Sequence, residues 1–145
     1  GINRINADIA DQNTGISKEY NVWELRSAII NRDVLKANRI IFHFEKNPKA
    51  NPPIVTVAAL FNFFATLMQA HYSPDKSEQG MMSYLDIRNS WQLRDYTNAM
   101  RTFNAMKTMQ IIGKLRETDA MLKGIGRGNP TDGDIMHELM YFIMH

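Results

Sequence analysis

Apolar positions recur at steps of three and four along most of this chain, and no alternating run is long enough for a strand. The stretch that dominates the pattern runs from Pro52 to His71 and contains no Asp, Glu, Lys or Arg. Pro53 suits the first turn of a helix, where its missing N–H is not needed. Beyond it, Val55, Val57, Leu60, Phe61, Phe63, Phe64, Leu67 and Met68 cover nearly every side of a helical wheel. A helix apolar all round is buried by protein or lies in lipid. Thr56, Asn62, Thr66 and Gln69 interrupt the run, so the spacing predicts the central helix of a helical domain, wrapped by its neighbours, and no membrane span.

The flanking segments read as further helices. Asn6 to Asn13 is expected to be a short helix followed by a polar connector from Gly15. Asn21 is placed to cap a helix over Val22 to Asn31, with Val22, Leu25, Ala28 and Ile29 on one face and Trp23 as a wedge against a neighbour. Asn31-Arg32-Asp33 makes a tight break, and Asp33 caps a second helix to Lys46 with the stripe Val34, Ala37, Ile41 and Phe44. Past the central helix come a short helix over Ser77 to Leu85, broken by Gly80, a turn over Asp86 to Ser90, and a helix over Trp91 to Thr102. Asn104 caps a long helix to Lys123, its inner side formed by Ala105, Met109, Ile112, Leu115 and Leu122, and Gly124 ends it. Asp132, or alternatively Thr131, caps the last helix, whose apolar face is Ile135, Met136, Leu139, Met140 and Ile143. The fold expected is all-α, a compact bundle of about seven helices, with Trp23, Leu25, Leu60, Phe61, Phe64, Met109, Ile112 and Leu139 in its core.

At 145 residues the chain is long enough for one domain with a sizeable core. It has no cysteine, which removes disulfide and thiolate chemistry and fits a reducing cytoplasm. All ten methionines lie from Met68 onward and read as gap-filling core residues. The net charge of +2 is small, but it is unevenly spread. Residues 88–127 carry eight Lys/Arg against three Asp/Glu, a local balance of +5, whereas residues 128–145 carry three acids and no Lys or Arg. Either these are solvated faces of different sign, or the basic stretch meets an acidic partner or a phosphate backbone. Arg88, Arg94, Arg101 and Lys107 are the candidate contacts.

Catalytic constellations are hard to find. His137-Glu138 with Tyr141 lacks the second imidazole that a zinc-protease helix needs four residues after the first, and His43, His71 and His145 stand alone. Gly124-x-Gly126-x-Gly128 follows a helix instead of a strand and is not followed by Gly-Lys-Ser/Thr, so it reads as a helix stop and linker. No nucleophile, acid–base pair, metal cage or cofactor site is expected. The two short helices on either side of Asp86–Ser90 have the outline of a helix-turn-helix, with Arg88, Asn89, Gln92 and Arg94 near the start of the second, where base contacts belong.

Several runs together resemble the C-terminal domain of the delta subunit of bacterial DNA polymerase III. They are Gly15-Ile16-Ser17-Lys18-Glu19-Tyr20-Asn21-Val22-Trp23-Glu24-Leu25, then Asn31-Arg32-Asp33-Val34-Leu35-Lys36-Ala37, the apolar helix from Pro53 to Ala70, and Thr118-Asp119-Ala120-Met121-Leu122-Lys123-Gly124. The resemblance covers residues 16–145, loosest over Gly80 to Arg94, and leaves residues 1–15 as the tail of a preceding domain. It implies a collar domain of the clamp loader, the machine that closes a sliding clamp around primed DNA during replication. That role is non-catalytic. Its partners would be the C-terminal domains of the other loader subunits, with DNA contact indirect or weak and no small-molecule substrate. Contact with the clamp would belong to an N-terminal part that is absent here. The rival reading is a helix-turn-helix DNA binder.

Overall fold

The computed structural model describes residues 20–145, so the helix expected over Asn6 to Asn13 and the connector from Gly15 to Glu19 lie outside the described residues. The described chain is all-helical: α1 (Val22–Ile30), α2 (Val34–Lys46), α3 (Pro53–Tyr72), α4 (Glu78–Leu85), α5 (Ser90–Thr102), α6 (Ala105–Leu122) and α7 (Asp132–Met144). Local chemistry sets most of the starts. Asn21, Asp33, Ser77 and Asn104 each accept a hydrogen bond from a backbone N–H three residues on, satisfying a donor the helix leaves open. Thr131, not Asp132, caps α7, in a reciprocal box with Asp134. Arg32 turns the chain between α1 and α2 in a left-handed conformation (φ 55°), and its guanidinium donates to the Met144 carbonyl at 3.3 Å.

α3 lies centrally and packs most extensively on α6; α7 closes against α2 and α6, and α1 and α5 close another side of α3. The main core gathers Leu25, Ile29, Ile40, Ile41, Leu60, Phe64, Phe103, Ile111, Leu115, Leu139 and Met140. Phe64 meets Phe63 and Phe103 edge-to-face, both at 5.3 Å between ring centres. A small second cluster of Ala70, Met81 and Leu93 seats α4 and α5 at the end of α3.

Several expectations need correcting. Trp23 is 66% exposed and Met109 53% exposed; neither belongs to the core. In both cases a buried residue lies two positions on, Leu25 and Ile111. Two helical residues turn the wheel by about 200°, so the partner two places away must point outward. The inner face of α6 is Thr108, Ile111, Leu115 and Thr118 instead. Its two threonines are buried because each hydroxyl donates to the carbonyl four residues back, Asn104 and Lys114, both at 2.8 Å. Phe61 and Ile112 are half-buried at the edge of the core. Gly80 does not break α4: a Cβ there would lie 2.3 Å from the Asp75 carboxylate, so the glycine makes room for that side chain inside a continuous helix. Finally, α3 is not fully wrapped. It is long and apolar enough to cross a membrane by length and composition, yet only 39% of its most apolar window is buried, leaving one side outward.

Candidate interaction surfaces

Part of the charge of the 88–127 stretch is taken up within the bundle. Lys107 donates to the Phe142 carbonyl at 3.1 Å and sits 4.6 Å over the Phe142 ring. Lys114 pairs with Glu138 at 3.1 Å and Glu117 at 3.5 Å. Lys123 pairs with Asp119 at 2.9 Å, and Arg127 pairs with Asp132 at 2.7 Å. Arg116 lies 5.8 Å over the Phe61 ring. Two of the three acids after residue 127 thus neutralise cations of the basic stretch, which the sequence had separated into blocks.

Arg88, Arg94 and Arg101 are exposed and form no ion pair among the described residues. Arg94 and Arg101 are seven residues apart on α5, so they share a side of it with the exposed Trp91. Arg88 lies in the connector just before the helix. The connector of the helix pair is held by Asp86, left-handed at φ 58°, and by the Ile87 N–H donating to Met82 O at 2.9 Å. Asn89 starts α5 without a side-chain cap.

A groove of about 370 Å³ opens between Trp23 and Trp91, with Arg26, Leu85, Ile87, Asp95 and Tyr96 among its walls. Arg26 is its organiser. Its guanidinium is sandwiched between the Trp23 ring at 4.6 Å and the Phe63 ring at 4.5 Å, and it reaches Asp95 at 3.5 Å. Phe63 in turn stacks on Tyr96 at 5.1 Å. The Arg26 Nε is buried without a hydrogen-bond partner among the described residues. Sequence reading missed Arg26, although its position three residues after Trp23 is the spacing at which a guanidinium covers a neighbouring ring on a helix.

The histidines serve contacts within the fold. The His71 Nε2 is 2.9 Å from the Phe103 carbonyl, where it must donate, and so ties the end of α3 to the α5–α6 junction. His137 meets Glu45 at 2.9 Å and the edge of Phe42 at 4.9 Å. His43 packs edge-on against Tyr20, and His145 stacks on Tyr141. Among the described residues no three His, Asp or Glu side chains form a metal-binding group. Asp75, in the loop before α4, is set by its hydrogen bonds to Ser77. The Ser77 N–H, at 2.9 Å, and then the Ser77 hydroxyl favour its carboxylate and hold its pKa below the ordinary value.

Large apolar side chains are exposed on several sides: Trp23 and Trp91 at the groove, Leu35 and Phe42 on α2, Ile54, Val55 and Tyr72 on α3, Met106 and Met109 on α6, and Tyr141 on α7. Single exposed apolar residues are ordinary, whereas a whole uncharged helix side is not. No family model, curated protein or solved structure matches the chain.

Proposed function

We propose that this chain is an assembly module, the C-terminal collar domain of a clamp-loader delta subunit, working in the cytoplasm during DNA replication. The observation that carries the reading is a helical bundle that, among the described residues, has a buried core while large apolar side chains remain exposed on α1, α2, α3, α5, α6 and α7. A scaffold in a ring must offer contacts on more than one side, and buried aromatic and aliphatic anchors supply most of the binding energy at such contacts. The order of the sequence motifs is what supports this choice of family. Such a role needs no cofactor and no catalytic group. The test is co-purification of the chain with each of the other loader subunits; no association at micromolar concentration would sink the reading.

A second reading is favoured by one observation, the trio Arg88, Arg94 and Arg101, which have no ion partner among the described residues, beside an exposed Trp91. Cations with an aromatic among them fit a phosphate backbone with a stacked base, so the α4–α5 pair would then be a DNA-binding element. A gel shift at two salt concentrations separates the readings. Phosphate contact gives binding that falls steeply with salt, and no shift at low salt ends the DNA reading.

A further inference from the structure

The groove between Trp23 and Trp91 already holds one guanidinium of the chain's own. Arg26 lies 4.6 Å over the Trp23 ring and 4.5 Å over the Phe63 ring, with the Asp95 carboxylate at 3.5 Å. Rings and a carboxylate together suit arginine, because its planar cation stacks on a ring while its N–H edge donates to oxygen. The same parts recur elsewhere in the groove walls. Trp91 is 62% exposed, and its ring meets no other ring and no cation among the described residues. The exposed Asp86 lines the same groove and forms no ion pair among the described residues. We propose that the groove is a second arginine seat, taking a guanidinium from a segment of a partner protein against the Trp91 ring and the Asp86 carboxylate. Charge and size select this occupant. The walls carry one arginine against two aspartates, Arg26 against Asp86 and Asp95, a balance of −1. A phosphate or an acidic side chain would meet both carboxylates, and an aliphatic anchor would strip water from them without replacing it. Lysine fits less well, since its compact, strongly hydrated ammonium does not stack as a plane. The volume of about 370 Å³ falls within the ~300–1,000 Å³ of small-ligand sites. Asp86 is presented from a fixed turn: it closes α4 in a left-handed conformation (φ 58°), its N–H donating to Ser83 O at 3.3 Å. Arg88, two residues on, does not line the groove and forms no ion pair with Asp86.

The test is an NMR titration of the isotope-labelled chain with the peptide acetyl-Gly-Arg-Gly-amide and with its citrulline counterpart, which keeps the shape and loses the charge. The two tryptophans give two indole N–H signals, assigned by their loss in Trp91→Phe and Trp23→Phe. The arginine peptide is expected to shift the Trp91 signal saturably, with a dissociation constant in the millimolar range, and the citrulline peptide to bind about tenfold more weakly. Asp86→Asn should weaken the arginine peptide about threefold, since asparagine tolerates the left-handed turn and only the charge is lost. Glu117→Gln on α6 removes the same charge outside the groove and should leave binding unchanged. No saturable shift of the Trp91 signal overturns the proposal, as does equal binding of the two peptides. Equal weakening in Asp86→Asn and Glu117→Gln would reduce the effect to general attraction of a cation and overturn it as well. A Trp91 shift that oligothymidylate produces at lower concentration than the arginine peptide would overturn it in favour of a nucleic acid.

Discussion

Phe64 and Trp23 are both large aromatics that the apolar pattern places in the core, and the structure separates them sharply. Phe64 is fully buried and meets two rings edge-to-face. Phe64→Ala removes its transfer free energy, leaves a cavity and breaks both ring contacts, a total of about 3–5 kcal/mol. For a domain of this size each kcal/mol lowers Tm by about 3 °C, so the variant should melt roughly 10–15 °C below the wild type. Trp23→Ala removes an exposed ring whose main interaction is with the Arg26 guanidinium at 4.6 Å. A partly solvated cation–π contact is worth about 0.5–1 kcal/mol, so Tm should fall by no more than about 3 °C. Urea denaturation followed by circular dichroism reads both, and Phe64→Leu gives a smaller loss of about 1–2 kcal/mol if the alanine variant does not fold. Equal losses for Trp23→Ala and Phe64→Ala would refute the burial argument, as would a Phe64→Ala loss below about 1 kcal/mol.

Two glycines should respond differently to alanine. At Gly80 the added methyl meets the Asp75 Cβ as well as its carboxylate, so the loop must shift, and Gly80→Ala should destabilise despite better helix propensity. At Gly133 the obstacle is the far end of the Glu45 side chain, which can swing away from His137, so Gly133→Ala should change stability by less than about 1 kcal/mol. Thr118→Val keeps the shape of a buried side chain and removes one bond to a carbonyl, so denaturation should show a change within about 1 kcal/mol. Asp75 has a depressed folded-state pKa, so its contribution is present above its unfolded value and is lost as pH falls through the folded one. NMR titration should therefore give Asp75 a midpoint on the acid side of an unstructured aspartate, and Ser77→Ala, which removes the hydroxyl but keeps the backbone N–H, should move it only part of the way back.

The helical class, the order of elements and most caps were legible because they depend on neighbours in sequence: Asn21, Asp33 and Asn104 each act within three residues. The inner face of α7 was legible too, since Ile135, Met136, Leu139, Met140 and Ile143 are all buried. The orientation of α6 was not. Its interior is marked by Thr108 and Thr118, which composition scores as polar until their hydroxyls bond backward along the helix. The charge blocks misled for a related reason. Lys114 and Glu138 are 24 residues apart, and only the packing of α6 on α7 reveals that they cancel. Arg26 escaped notice because a sandwiched guanidinium needs Phe63 from another helix.

The methionines span a range of exposure, with Met68, Met82, Met100 and Met121 half-buried between two extremes. Met81, Met136, Met140 and Met144 are buried, whereas Met106 and Met109 stand on the solvent side of α6. Peroxide converts an accessible thioether into a polar sulfoxide and reaches a shielded one only when the chain opens. Under mild oxidant the outside of α6 therefore becomes polar while the interior keeps its packing. Mass-spectrometric mapping of sulfoxide against time turns the same division into a gauge of how often the bundle opens.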